Sequence, residues 1–260
     1  MRSSWPRSAR DKALGFAQER VVRRERKMDF SKVVSLKGEF EAEGLPRDSV
    51  AAEAGFAARN GLPYLVKIGG CEAKSDMRFL MAIGVKSIVA PMIESAFAMR
   101  KYQDMLPAGA FEHVGVTIET IDAVQRIEAV LDAGVKLSEV TVGRTDLTAS
   151  FGGSGVDSAE TIAMVKTVAR AAQKRGLKTT MGGSVNAKTI ALLREDEELR
   201  GLVACVETRK CVMPVAKFLE DGALEAAFAI EEALLELQLA YHGTIATAAN
   251  DRVGQLRGRL

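Results

Sequence analysis

Cysteine and histidine are scarce in this sequence. Its three cysteines (Cys71, Cys205, Cys211) form no CxxC pair and cannot frame a disulfide scaffold. Two histidines, His113 and His242, are too few for a zinc site built on several imidazoles. Aromatic residues make up only 5% of the chain, so no base-stacking set accompanies its positive charge. No apolar run reaches the roughly 18 residues of a membrane helix, and the opening MRSSWPRSAR never develops an apolar signal core. GxGxxG follows no early strand, which argues against a dinucleotide-binding sheet. The expectation is a soluble, cytoplasmic protein with neither a membrane nor a nucleic-acid partner.

What is present is a core. The 260 residues are 47% apolar and 27% charged, which excludes wholesale disorder. The length is close to the roughly 250 residues of a (β/α)8 barrel. The charge is uneven: residues 1–27 hold nine Lys and Arg against three Asp and Glu, and the rest holds 27 against 31. The stretch 9–27 reads as an exposed, arginine-rich helix that makes a solvated face or a subunit contact.

From Val33 onward, β-like runs (33–42, 62–70, 86–93, 113–120, 139–147, 177–183, 202–210) alternate with helical patterns (49–60, 72–84, 96–106, 121–134, 158–176, 186–199). This is the βαβ signature of a parallel sheet. The predicted fold is a (β/α)8 TIM-type barrel with an N-terminal helix and a long C-terminal helix. Only seven strands are clear, so an irregular first strand before Val33 or an irregular closure is expected. The predicted organisation is a basic arm over 1–30, the barrel over 31–222, and a helix and tail over 223–260. The stretch 223–242 is apolar on more than one face, which suits packing on the barrel wall or in a homo-oligomer.

Barrel chemistry lies at strand C-termini. Here those ends bring Glu39, Glu41, Glu43, Lys67, Glu94, Glu119, Arg144, Asp146, Glu207 and Arg209 to one rim. Glu39, Glu41 and Glu43 alternate, so on a continuing strand they share one face. They are candidates for proton transfer, and the competing reading is a charge lattice with Lys67, Arg144, Arg209 or Lys210. Glu119 and Asp146 end successive strands, and two such carboxylates suit a hard ion, Mg2+ or Mn2+. Glu207 and Arg209 share a face as a salt bridge, with Arg209 also placed to hold a substrate carboxylate. Cys71 is a rim thiol with no histidine to activate it, and Met77, Met81 and Met92 read as core fillers.

The segment GRTDLTASFG (143–152) resembles the G-x-x-D-L-S-x-S-x-G motif of the HpcH/HpaI aldolase and citrate lyase β-subunit family. The order VKI, IVAPMIES, VTIET, VGRTDLTASFG over 62–152 matches as well. The resemblance implies a (β/α)8 barrel and a divalent metal held by Glu119 and Asp146. It also implies a pyruvate-type enolate, with Lys67 where the aldolases carry an arginine that stabilises the enolate oxygen. The substrate carboxylate is implied near Arg144, Thr145 and Asp146, with Thr117 and Arg209 lining the site. The sequence departs from the family in three places. The early-loop histidine is missing and EFEAEG stands there, offering Glu43 or Glu41 as acid or base. Thr117 replaces a glutamine, and lysine at 67 lacks the bidentate fork of arginine. The implied activity is metal-dependent carbon–carbon cleavage of a 2-oxo acid with an aldehyde or sugar-derived partner. The alternatives are a phosphoenolpyruvate- or acyl-CoA-dependent relative and a non-catalytic sugar-acid binder.

Overall fold

A computed structural model describes residues 28–257. The arginine-rich helix expected over 9–27 and the last three residues of the tail lie outside them. Eight strands close a barrel in sequence order: β1 (Ser35–Glu39), β2 (Tyr64–Lys67), β3 (Ser87–Ala90), β4 (His113–Ile118), β5 (Glu139–Gly143), β6 (Lys178–Gly182), β7 (Cys205–Glu207) and β8 (Cys211–Pro214). Strands β1 to β7 are parallel neighbours, as the βαβ pattern predicts.

Of the two expectations it is the irregular closure that the barrel has, at β8 and with no strand before Val33 among the described residues. β8 is antiparallel to both neighbours, with Val206 opposite Met213 and Leu36 opposite Cys211. A three-residue turn, Thr208 to Lys210, reverses the chain, and the Thr208 N–H donates to Cys211 O at 2.9 Å. With only three residues between the strands there is no room for a crossover helix, so the hairpin must run antiparallel.

The helices, in chain order, are α1 (Arg47–Arg59), α2 (Lys74–Ala82), α3 (Ala96–Asp104), α4 (Ile121–Gln125), α5 (Ile127–Asp132), α6 (Arg144–Ser150), α7 (Ala159–Gln173), α8 (Ala187–Glu195), α9 (Glu197–Leu202), α10 (Val215–Phe218) and α11 (Ala223–Arg257). Their starts follow capping chemistry. Ser95, Thr120, Ser158 and Asp196 each accept a backbone N–H three residues on, and Asn186 forms a capping box with Thr189. The helices cover the outward residues Leu36, Val66, Ile88, Val116, Val140, Val142, Met181 and Val206, all essentially fully buried. Each such side chain contributes roughly 1.5–3 kcal/mol. Inside the barrel, Leu65, Val89, Val212 and Cys205 meet across from opposite walls and fill the lower interior.

Phe30–Ala227 is one compact unit. From Phe228 onward α11 belongs to a second unit, where Ile230 and Leu234 are buried while Phe228, Leu235, Leu239 and Ile245 are exposed. No helix of the described residues is long and apolar enough to cross a membrane.

Candidate active site

Charged side chains replace apolar ones inside the barrel toward the C-terminal ends of the strands. Lys37 of β1 donates to Glu207 Oε1 of β7 at 2.6 Å, with both side chains nearly sealed from water. Lys67, the last residue of β2, reaches Glu119 Oε2 at 3.3 Å and Glu41 Oε2 at 3.0 Å. Glu119 stands just past the end of β4 and is 2% exposed. Its Oε1 accepts the N–H of Met92 at 2.9 Å. Met92 takes a left-handed backbone with φ 51° to place that donor. A non-glycine residue held there stores strain of the kind found at functional sites.

Burial pulls the Lys67 pKa down, but Glu119, Glu41 and Glu39 outweigh it, and the pKa is raised. The ammonium therefore stays charged at neutral pH. Burial acts the other way on Glu119 and pushes its carboxyl up against the opposing pull of Lys67 and the Met92 amide.

The rim resolves the expected glutamate face. β1 ends at Glu39, so Glu41 and Glu43 lie in the loop and the strand alternation no longer governs them. Each glutamate has its own cation, as the charge-lattice reading has it: Glu39 meets Arg209 at 3.7 Å, Glu41 meets Lys67, and Glu43 pairs with Lys210. The Lys210 ammonium also holds Glu53 of α1 at 2.9 Å, and Glu53 accepts from the Tyr64 hydroxyl at 2.6 Å. Gly38 fits this outer network because a Cβ there would meet the Tyr64 oxygen at 1.9 Å. Glu43 thus belongs to the wall between β1 and α1, away from Lys67, which removes it as the expected acid or base. Glu41 is one-third exposed beside Lys67.

Arg144 also departs from expectation. The 139–147 run turns helical at Arg144, whose side chain is fully buried. Its guanidinium donates to the carbonyls of Gly182 (3.0 Å) and Gly183 (2.8 Å), to Thr189 and to Asp157. These bonds tie the ends of β5 and β6 to α8 and use four of the five N–H donors of a fully buried group. Thr145 is exposed and shares a hydrogen bond with Ser184, itself at φ 49°. Gly183 lies against the amides of Thr145 and Arg144 so closely that a Cβ would come within 2.5 Å. Thr117 is buried beneath Glu119 on the same face of β4. Arg209 does not pair with Glu207, which Lys37 holds; it reaches Glu39 from an exposed position.

Met92, read from the sequence as a core filler, is 44% exposed, and its backbone serves the site. Met81 is also exposed, and Met77 is buried as predicted. His113 cannot replace the missing histidine. It starts β4 at the opposite end of the barrel, where Nε2 meets Glu139 at 3.1 Å. Burial pushes the Cys205 thiol up to about 11, so it stays protonated and inert.

No family profile and no curated protein matches the sequence. Solved structures do. An HpcH/HpaI aldolase from Desulfitobacterium hafniense superposes with a TM-score of 0.57 at 15% identity, covering 88% of each chain. The chain has the fold of the HpcH/HpaI aldolases. An HpcH/HpaI aldolase/citrate lyase family protein from Burkholderia cenocepacia gives a TM-score of 0.58 at 16% identity, covering 88% of this chain and 91% of the other. The citrate synthase SbnG gives 0.58 at 12%, covering 79% and 84%. The likeness covers most of the chain and is one of fold, with the rim described above at the C-terminal ends of the barrel strands.

The donors at this rim do not fit the divalent ion that the HpcH/HpaI resemblance implies. A hard ion takes about six oxygens near 2.1 Å. On Glu119 Oε2 it would lie against the Lys67 ammonium, and Oε1 already accepts the Met92 amide. Asp146 is exposed on the first turn of α6, and among the described residues no group of three His, Cys, Asp or Glu side chains is arranged to hold a metal ion.

Proposed function

We propose that the protein is a carbon–carbon lyase or aldolase that acts on a 2-oxo acid through its enolate. The observation that carries this reading is the Lys67 ammonium, fixed at a strand end between Glu41 and Glu119 on the catalytic face of an aldolase fold. In the cleavage direction the bond between C3 and C4 breaks, and its electron pair moves toward C2 and onto the 2-oxo oxygen. The proton of the C4 hydroxyl leaves as the aldehyde forms. C3 then takes a proton to give the shorter 2-oxo acid.

A preorganised cation at the developing oxyanion stabilises the transition state more than the ground state. Lys67 supplies it without reorganisation, because β2 holds its backbone and carboxylates hold its head. Glu41 is the one carboxylate here with both solvent access and contact with Lys67, so it moves the proton. Thr145, exposed on the first turn of α6, is the group offered to the substrate carboxylate. Self-association belongs to the reading as well, supported by Phe228, Leu235 and Leu239 exposed on α11.

The test is proton exchange at C3 of pyruvate, followed by NMR in deuterated water. The lyase must exchange these protons faster than buffer does, and Lys67→Met must lose that activity while folded. A folded wild-type protein that binds pyruvate without exchange would remove the 2-oxo acid lyase and leave the phosphoenolpyruvate- or acyl-CoA-dependent relative and the sugar-acid binder.

A further inference from the structure

The rim joins two observations. Three carboxylates, Glu39, Glu41 and Glu119, crowd the mouth of the barrel, and such a cluster demands positive charge among them. Arg209 meets Glu39 from outside. At the centre the positive charge is Lys67, which touches Glu41 and Glu119 together and is 6% exposed.

We infer that Lys67 is the resident cation of this centre, standing where a divalent ion would otherwise bridge Glu119 to the rim, so that the site works without metal. The inference rests on the proposed enolate chemistry only for its catalytic meaning; the exclusion of an ion is a matter of geometry and charge. The lysine is held at its head by two carboxylates and stands on a fixed backbone. Its carbonyl accepts the Phe40 N–H at 3.0 Å, and the next amide, Ile68, donates to Val89 across β3 at 2.9 Å. The backbone on both sides of the residue is therefore fixed. An ion entering at Glu119 must expel a buried ammonium from two carboxylates, and the exposed Asp146 offers little in return. A lysine also carries one charge where a divalent ion carries two. It stabilises an enolate oxygen without chelating the carboxylate and 2-oxo oxygens together, which leaves the carboxylate to other donors.

Mn2+ binding, read from loss of the free-ion electron paramagnetic resonance signal in the full-length protein, tests this directly. Wild type is expected to leave the signal of free Mn2+ intact. Lys67→Met, which uncovers Glu41 and Glu119, is expected to gain Mn2+ affinity by at least about tenfold, and Lys67→Met with Glu119→Gln to lose that gain. Stoichiometric Mn2+ binding by wild type, removed by Glu119→Gln or Asp146→Asn, would overturn the inference. So would a folded Lys67→Met protein with no gain. Should Lys67→Met fail to fold, the wild-type measurement decides alone.

The assay reads ion binding, so an absence of C3 exchange would remove the lyase reading and leave this inference standing. Where exchange occurs, its survival in excess chelator supports the resident lysine. Its loss in chelator and return with Mn2+ would overturn it.

Discussion

Glu119 lies across the end of β5 only because residue 143 is glycine: a Cβ there would come within 2.9 Å of Glu119 Oε2 and 3.3 Å of the Thr117 methyl. Gly182 makes the same allowance for Glu207 on the next strand, at 2.8 Å from Oε1. Two buried carboxylates thus rest over two strand-end glycines, each facing a lysine from two strands away. Gly143→Ala should push Glu119 away from Lys67 and the Met92 amide. The expected cost is about 1–3 kcal/mol of stability by overpacking, measured by urea unfolding, with a larger fall in C3 exchange than the unfolded fraction explains.

The deeper pair has a structural purpose. Lys37→Met leaves Glu207 buried without its cation and should cost about 3–5 kcal/mol. Adding Glu207→Leu should recover most of that, since an apolar pair of similar size fits a sealed interior. Burial foremost raises the Glu207 carboxyl, against the opposing pull of Lys37. An acid with a raised folded pKa favours the folded state at low pH and loses that advantage as pH rises. The Lys37→Met deficit should therefore shrink as pH falls through the raised folded value toward the ordinary carboxyl value of 4.5, where the recovery is complete. Urea midpoints across this range check the sign, and a deficit that grows on acidification would contradict it.

The order of elements is legible because it is written in local periodicity: Val114, Val116 and Ile118 alternate along β4, and apolar residues recur at helical spacing along α7. The eighth strand is not legible, because Cys211–Pro214 is four residues long and follows Glu207 after a three-residue turn. The candidate site divides along the same line. Glu119 and Lys67 follow from their places at strand ends. Their contact joins residues 52 positions apart, and Lys37 meets Glu207 across 170; no local pattern encodes such pairs. Arg144 misleads because a charged residue at a strand end reads as functional until its acceptors are known. Met92 is missed because its contribution is a backbone amide, which has no letter of its own in the sequence.

Arg144 is expected to act through the fold. Arg144→Lys keeps one charge near Asp157 but loses the planar fork that meets two carbonyls and Thr189. Stability should fall by at least about 2 kcal/mol, while affinity for pyruvate in the folded fraction stays near wild type. Calorimetric pyruvate binding beside urea unfolding separates the two. Lost affinity at unchanged stability would return Arg144 to the substrate.

Asp196 caps α9 through the Leu199 N–H at 2.9 Å and holds Lys166 at 2.7 Å. The amide first, and then Lys166, lower its carboxyl below 3.8. A group with a depressed folded pKa contributes stability above its unfolded value and loses it as pH falls through the folded one. Asp196→Ala should therefore cost about 0.5–2 kcal/mol at neutral pH. The difference from wild type should vanish as acid titrates the carboxylate below 3.8. Thermal midpoints taken down the pH scale read both halves of the expectation.

The two loop glutamates offer the sharpest contrast, because they are two residues apart and face different chemistry. Glu41 touches Lys67 at the open rim, while Glu43 is tied to Lys210 on the sealed outer side of β1. Glu41→Gln keeps the shape and removes the proton carrier, so C3 exchange should fall by about 10²–10⁴, the range for a lost general acid or base. Its stability should change little, since one exposed partner of Lys67 is gone and Glu119 remains. Glu43→Gln should do the reverse. Burial raises the Glu43 carboxyl foremost, against Lys210, and Glu53 stays to hold that ammonium. The result should be a modest change in unfolding midpoint with exchange per folded molecule near wild type. If Glu43→Gln lost exchange and Glu41→Gln kept it, the proton would travel through the outer network, and Lys67 would lose its partner in catalysis. Equal, small losses in both would point to water as the proton carrier at Lys67.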